Sequence, residues 1–239
     1  MTAVNRLLKC LSALLFTASA LSLSACDSGG SAGSGSLTQS TTPGGGGSST
    51  VPVGESCTAG DAGKICLAMH FVTYEDPSGT PTATTDQAAT IIHTMNQLWA
   101  QCDIGFQIEN YEAVDPTQFG LTYGAASQNE LDQIRTQFEQ PTNELLGVTT
   151  GPWGTAVNAW TNLPGDGIYG SIMEASIVTY GNGIIYAHEF GHYLGLDHVS
   201  DVTDLMDPII YTTSTLLNSS QCQTARATVP SYWAQMVRH

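Results

Sequence analysis

The chain has 239 residues, and 21 Asp and Glu outnumber 6 Lys and Arg to give a formal charge of −15 at pH 7. That balance excludes nucleic acid and anionic lipid head groups as electrostatic partners. An acidic surface favours cationic substrates or Ca2+, but Asp201, Asp204 and Asp207 match no calcium-loop spacing, so calcium stays without support.

Arg6 and Lys9 precede an apolar run, Leu11 to Leu23, that is too short to span a bilayer and has the order of an export signal. Leu23-Ser24-Ala25-Cys26 has the pattern of a bacterial lipobox. Residues 1–25 therefore read as a lipoprotein signal peptide, with Cys26 as the lipidated residue of an exported, envelope-anchored protein. The alternative is an ordinary signal cut near Ala25. Residues 26–54 are mostly Gly, Ser and Thr and bury too little apolar surface to fold. As a coil they span roughly 25–30 Å and read as a tether. Residues 55–239 are expected to form one domain, working as a monomer. With Cys10 and Cys26 assigned, Cys57, Cys66, Cys102 and Cys222 remain, which suits disulfides in an exported protein. Of the possible pairings we favour Cys57 with Cys66 and Cys102 with Cys222, the second tying the end of an early helix to the C-terminal region.

Lys64 to Thr73 has the apolar pattern of a strand. Thr84 and Gln87 have capping-box spacing, and Ile91, Ile92, Met95, Leu98 and Trp99 recur at helical period to about Ala100. Ile104, Phe106 and Ile108 alternate as a second strand. Ser127 and Glu130 open another helix carrying Leu131, Ile134 and Phe138, which Pro141 stops. Ala156–Thr161, Tyr169–Met173 and Ala175–Tyr180 read as further strands, followed by a helix from about Asn182 and another near Ser219–Ala227. His70, His93 and His239 read as ordinary polar positions, and Trp153, Trp160 and Trp233 as packing residues.

Residues 188–198 read His-Glu-Phe-Gly-His-Tyr-Leu-Gly-Leu-Asp-His. On a helix, His188 and His192 lie one above the other and can share one zinc, with Glu189 beside them. A helix cannot return His198 to the same point, so the chain must turn, and Gly195 is the residue free to take the left-handed conformation.

This stretch resembles the extended zinc signature of the metzincin metallopeptidases, and Met206 in Asp204-Leu205-Met206-Asp207-Pro208 resembles their Met-turn methionine. The short spacing from His198 to Met206 is most similar to the matrixin branch or its bacterial relatives. Pro208 stands where other branches place a zinc-binding tyrosine, and Val199 stands where matrixins usually have serine. No second histidine-rich segment suggests a structural zinc. The residues around Cys57 and Cys66 do not resemble the propeptide cysteine that blocks zinc in matrixins. The resemblance implies an α/β (α+β) fold: a twisted, mainly parallel sheet, an active-site helix and a small C-terminal subdomain after Gly195. It implies one catalytic Zn2+ on His188, His192 and His198, with Glu189 as the catalytic base that takes a proton from water. It further implies a substrate peptide paired along an edge strand, expected near Tyr169–Ile172, and a pocket wall near Pro208 and Tyr211. Peptide-bond hydrolysis of protein or peptide substrates is the expected activity. Its rival is a catalytically silent or single-target surface protein that keeps the zinc site for binding.

Overall fold

The computed structural model describes residues 52–57, 63–125, 127–155, 157–174 and 183–239. The signal peptide, Cys26, nearly all of the tether, Ala156, the strand expected at Ala175–Tyr180 and the helix start at Asn182 lie outside these residues.

Strand β1 (Ile65–Tyr74) leads into helix α1 (Thr85–Trp99), which Thr84 and Gln87 open with the expected capping box. Strand β2 (Ile104–Val114) follows, then helix α2 (Gln128–Phe138), whose first turn donates the Glu130 N–H to Ser127. Strands β3 (Leu145–Thr150), β4 (Ala159–Trp160) and β5 (Ser171–Glu174) precede helix α3 (Gly183–Tyr193). Helix α4 (Ser219–Tyr232) and a short strand β6 (Val237–Arg238) complete the described elements. They form a six-stranded sheet in the order β2-β1-β3-β5-β4, with β6 pairing the start of β1. The β1–β2, β1–β3 and β3–β5 ladders are parallel, and β4 and β6 run antiparallel to their neighbours. This is the mixed, mainly parallel α/β architecture the motifs implied. Among the described residues, no helix is long and apolar enough to cross a membrane.

The alternation of β1 divides the core. Leu67, Met69 and Phe71 pack with α1 and α3 on one face, while Val72 and Tyr74 join Leu131 and Ile134 of α2 on the other. Strand β3 was not anticipated. Its six residues are all buried, so it lacks the alternation that marks a half-exposed strand, and Gly147 interrupts its apolar run. That glycine has a packing reason: a Cβ there would lie 2.6 Å from Met69 Cε and 3.6 Å from Phe190 Cζ, where α3 rests on the sheet.

Further expectations are corrected. Tyr169–Ile172 is not an edge, because β5 lies between β3 and β4, and Tyr169 packs its ring on Trp233 at 4.9 Å. The edge beside α3's end of the sheet is β4, shorter than the expected strand. Trp160 on that edge is 44% exposed, so it is not a packing residue, whereas Trp153 and Trp233 are buried. Helix α4 also runs past Ala227, with Pro230 in its last turn. Disulfides Cys57–Cys66 and Cys102–Cys222 are both formed, and the second joins the turn after α1 to α4.

Candidate metal centre

Helix α3 contains Gly183, Ile184, Ile185 and Gly191 and is a poor helix former by composition. Packing holds it instead. Phe190 sits edge-on to Phe106, Tyr193 donates its hydroxyl to the Leu146 carbonyl at 3.0 Å, and the hydroxyls of Tyr186 and Thr149 share a short hydrogen bond. From the other side, Trp99 and Trp233 donate their indole N–H groups to the carbonyls of Ala187 and Tyr193. The histidines thus stand on a helix fixed from several directions.

The helix ends as Gly195 requires. Its φ is +77°, the Gly195 N–H bonds the His192 carbonyl at 2.9 Å, and the Leu196 N–H reaches the Gly191 carbonyl at 3.0 Å. These two bonds are a Schellman motif, and they turn the chain so that His198 faces the helix. The following loop is held to the same place. Val199 N–H bonds the Met206 carbonyl, Met206 N–H bonds Asp204 Oδ1, and Gln221 Nε2 donates to the same Asp204 oxygen. Met206 is fully buried against Gly191, one residue before His192, and a side chain on Gly191 would strike its sulfur.

The ligating atoms of His188, His192 and His198 all lie within 4.8 Å of one another. His198 Nε2 is 3.2 Å from Nε2 of His188 and 3.2 Å from Nε2 of His192. Zinc–nitrogen bonds of about 2.0–2.1 Å in a tetrahedron place ligand nitrogens roughly 3.3 Å apart, so the spacing fits that ion. The tautomers fit as well. His188 Nδ1 lies 2.7 Å from the Leu205 carbonyl and His192 Nδ1 2.7 Å from the Leu196 carbonyl. A carbonyl only accepts, so both Nδ1 atoms carry the proton and both Nε2 lone pairs point into the cluster. Two lone pairs converging beside His198 Nε2 suit a cation. Burial also keeps the rings neutral: it pushes His188 down to about 3, with neighbouring His192 adding to the effect. Burial lowers His192 and His198 in the same way.

Glu189 points from the next helical position and is 5% exposed. Burial pushes its carboxyl up to about 7, against the pull of the Thr161 hydroxyl and the Arg135 guanidinium. Thr161 Oγ1 donates to Glu189 Oε2 at 2.6 Å and lies 2.7 Å from Ser171 Oγ. Arg135, fully buried on α2, donates from Nε to the Gly170 carbonyl, from Nη1 to Asp132 and from Nη2 to the Trp160 carbonyl, each at 2.8 Å. It ties β4 to the entry of β5 directly behind Thr161. A Cβ at Gly170 would come within 2.9 Å of Arg135 Cγ, and φ there is +144°, so the close approach needs glycine.

Sequence reasoning missed Thr161, Ser171 and Arg135. A lone threonine or serine carries no signal, but Arg135 did. It falls on the same helical face as Leu131, Ile134 and Phe138, and a charge on an apolar stripe asks for buried partners. The remaining expected residues take ordinary places. Pro208 and Tyr211 are exposed beyond the Met206 turn. His70 lies 3.5 Å from Glu112, and His93 bonds Glu55 at 2.9 Å.

Three converging imidazoles on a helix and its following turn, with a buried carboxylate beside them, make a group that can hold a metal ion. Residues 69–223 match the family model for Peptidase_M10, matrixin, and the chain belongs to that family. No curated protein matches the chain. Among solved structures it is similar to metalloproteinase-II from Bacteroides fragilis, at 13% identity and a TM-score of 0.47, over 68% of this chain and 53% of that one. It is also similar to a chain in a chaperone-substrate complex, at 11% identity and a TM-score of 0.48, over 74% of this chain and 40% of the other. The chain thus spans about half the length of these solved relatives or less.

Proposed function

We propose that this protein is a zinc-dependent endopeptidase, held at the bacterial cell envelope by a lipid on Cys26. The observation that carries the catalytic reading is the convergence of three neutral imidazoles, two with their tautomers pinned by carbonyls, next to the buried Glu189. His188, His192 and His198 hold the ion, and zinc bound there supplies a Lewis acid that acidifies water and offsets charge developing on oxygen. Glu189 Oε2 is engaged by Thr161, leaving Oε1 to accept the proton of the attacking water and pass it to the leaving nitrogen. Burial that raises a carboxyl toward neutrality suits a group that must both take and give a proton. Met206 touches no substrate; it fills the floor under the histidines. The substrate backbone pairs as an added strand with β4, and Pro208 and Tyr211 form part of the wall beyond it.

The test is digestion of an unbiased peptide library with the full-length protein, read by mass spectrometry, beside Glu189→Ala and a chelator-treated sample. Cleavage within peptides, absent from both controls, is expected; zinc bound one to one with no cleavage would favour a binding role. Anchoring is tested separately: Cys26→Ser is expected to move the protein from the membrane fraction to the soluble one.

A further inference from the structure

We propose that Thr161, backed by Ser171, is a positioning residue that fixes which oxygen of Glu189 is offered to the reacting water; the catalytic part of this rests on the endopeptidase reading. An ionised carboxylate only accepts, so the single hydroxyl proton of Thr161 goes to Glu189 Oε2 across 2.6 Å. Thr161 Oγ1 then has lone pairs left, and Ser171, at 2.7 Å, donates to it. Ser171 is fully buried and Thr161 nearly so, so water does not readily take the place of either hydroxyl. The chain Ser171, Thr161, Glu189 has one polarity while the carboxylate is charged.

The backbone under Thr161 is fixed independently. The Trp160 carbonyl, one residue before it, accepts from Arg135 Nη2, and Gly170, one residue before Ser171, accepts from Arg135 Nε. Both hydroxyls are therefore presented by strands clamped to a single guanidinium. A glutamate has freely rotating terminal bonds, and a base must hold its reacting oxygen in one place as the proton moves. Hydrogen-bonding one oxygen achieves that without occupying the other. The same strand β4 supplies the edge proposed for substrate pairing, so placing the peptide and aiming the base share one element.

The experiment compares wild type, Thr161→Val, Thr161→Ser and Ser171→Ala in the full-length protein. Zinc content and the kcat and KM of a library-derived peptide are measured for each. Thr161→Val keeps shape and removes the donor. It is expected to lower kcat about tenfold or more, as loss of one charge-assisted hydrogen bond does, with KM and zinc content unchanged. Thr161→Ser is expected to recover most of the rate, and Ser171→Ala to cost less than Thr161→Val. Unchanged kcat in Thr161→Val overturns the proposal, and so does Thr161→Ser as slow as Thr161→Val, which assigns the effect to methyl packing. A second readout needs no activity. In zinc-free protein, Thr161→Val is expected to lower the urea midpoint more with Glu189 present than in a Glu189→Ala background. Equal shifts would mean that hydroxyl and carboxylate do not interact. If wild type cleaves no peptide, the endopeptidase reading fails while the urea comparison still decides the contact.

Discussion

Arg135 is a fully buried cation, and replacing it tests how the edge of the sheet is held. Its guanidinium is fully buried and makes three hydrogen bonds of 2.8 Å, two to strand carbonyls and one to Asp132. Methionine at 135 would fill the stem volume and bring no charge. Asp132, whose side chain is 42% exposed, can turn to water. The Gly170 carbonyl cannot do so as easily, since Gly170 is buried. A hydrogen bond to a charged group contributes about 1.5–3 kcal/mol, and a buried acceptor left unpaired costs about 1–3 kcal/mol. Against this stands relief from burying a cation, which costs several kcal/mol by itself. The difference leaves a net loss of about 2 kcal/mol for Arg135→Met by this accounting. Lysine should do no better. It keeps the buried charge, but one ammonium cannot reach acceptors set in the directions of a planar fork. Urea denaturation of Arg135→Met and Arg135→Lys measures the loss. Because Trp160 lies on the edge strand, KM for peptide should rise in both while zinc content holds. An Arg135→Met protein as stable as wild type, with unchanged KM, would refute the idea that this guanidinium holds β4 in register.

Other perturbations have signs fixed by the structure. Gly191→Ala gains about 1 kcal/mol of helix propensity, but its methyl would press on the Met206 sulfur and lie 3.6 Å from Trp99, so overpacking of about 1–3 kcal/mol should win and thermal unfolding should show a lower Tm. Removing Cys102–Cys222, a loop of 120 residues, should destabilise by about 5 kcal/mol on the loop-entropy rule, against about 2.6 kcal/mol for the nine-residue Cys57–Cys66 loop; chemical denaturation of the two double-serine variants gives the order. The Arg238 guanidinium holds Glu109 below the usual carboxylate range. A lowered carboxyl contributes stability above its unfolded value, about 4.3, and loses it as pH falls through the folded value. Arg238→Ala should therefore be about 1 kcal/mol less stable at pH 7, with the gap narrowing below about pH 4 in urea midpoints taken across pH.

The parts of the fold that could be read from sequence were those with a local cause. The capping box at Thr84, the N-cap at Ser127 and the stripes behind them announced α1 and α2. The spacing of the histidines with Gly195 announced the turn that brings His198 back. What escaped notice was set by distant packing. Strand β3, buried on both faces and broken by Gly147, shows no period of its own, and its place in the sheet comes from β1 and β5. The edge was misplaced for the same reason: β4 is antiparallel and only two residues long, and nothing in Ala159-Trp160 marks it as the last strand. Thr161 meets Glu189 of α3 and Ser171 meets Thr161, contacts that no spacing rule contains.

The most direct measurement is activity as a function of metal occupancy. Zinc is titrated into the metal-free full-length protein and cleavage of one library-derived peptide is followed, with Glu189→Gln carried through the same titration. Cleavage should rise in proportion to bound zinc and stop at one equivalent, while Glu189→Gln binds the same equivalent and stays inactive. Cleavage that is independent of zinc, or retained in zinc-loaded Glu189→Gln, would contradict the account.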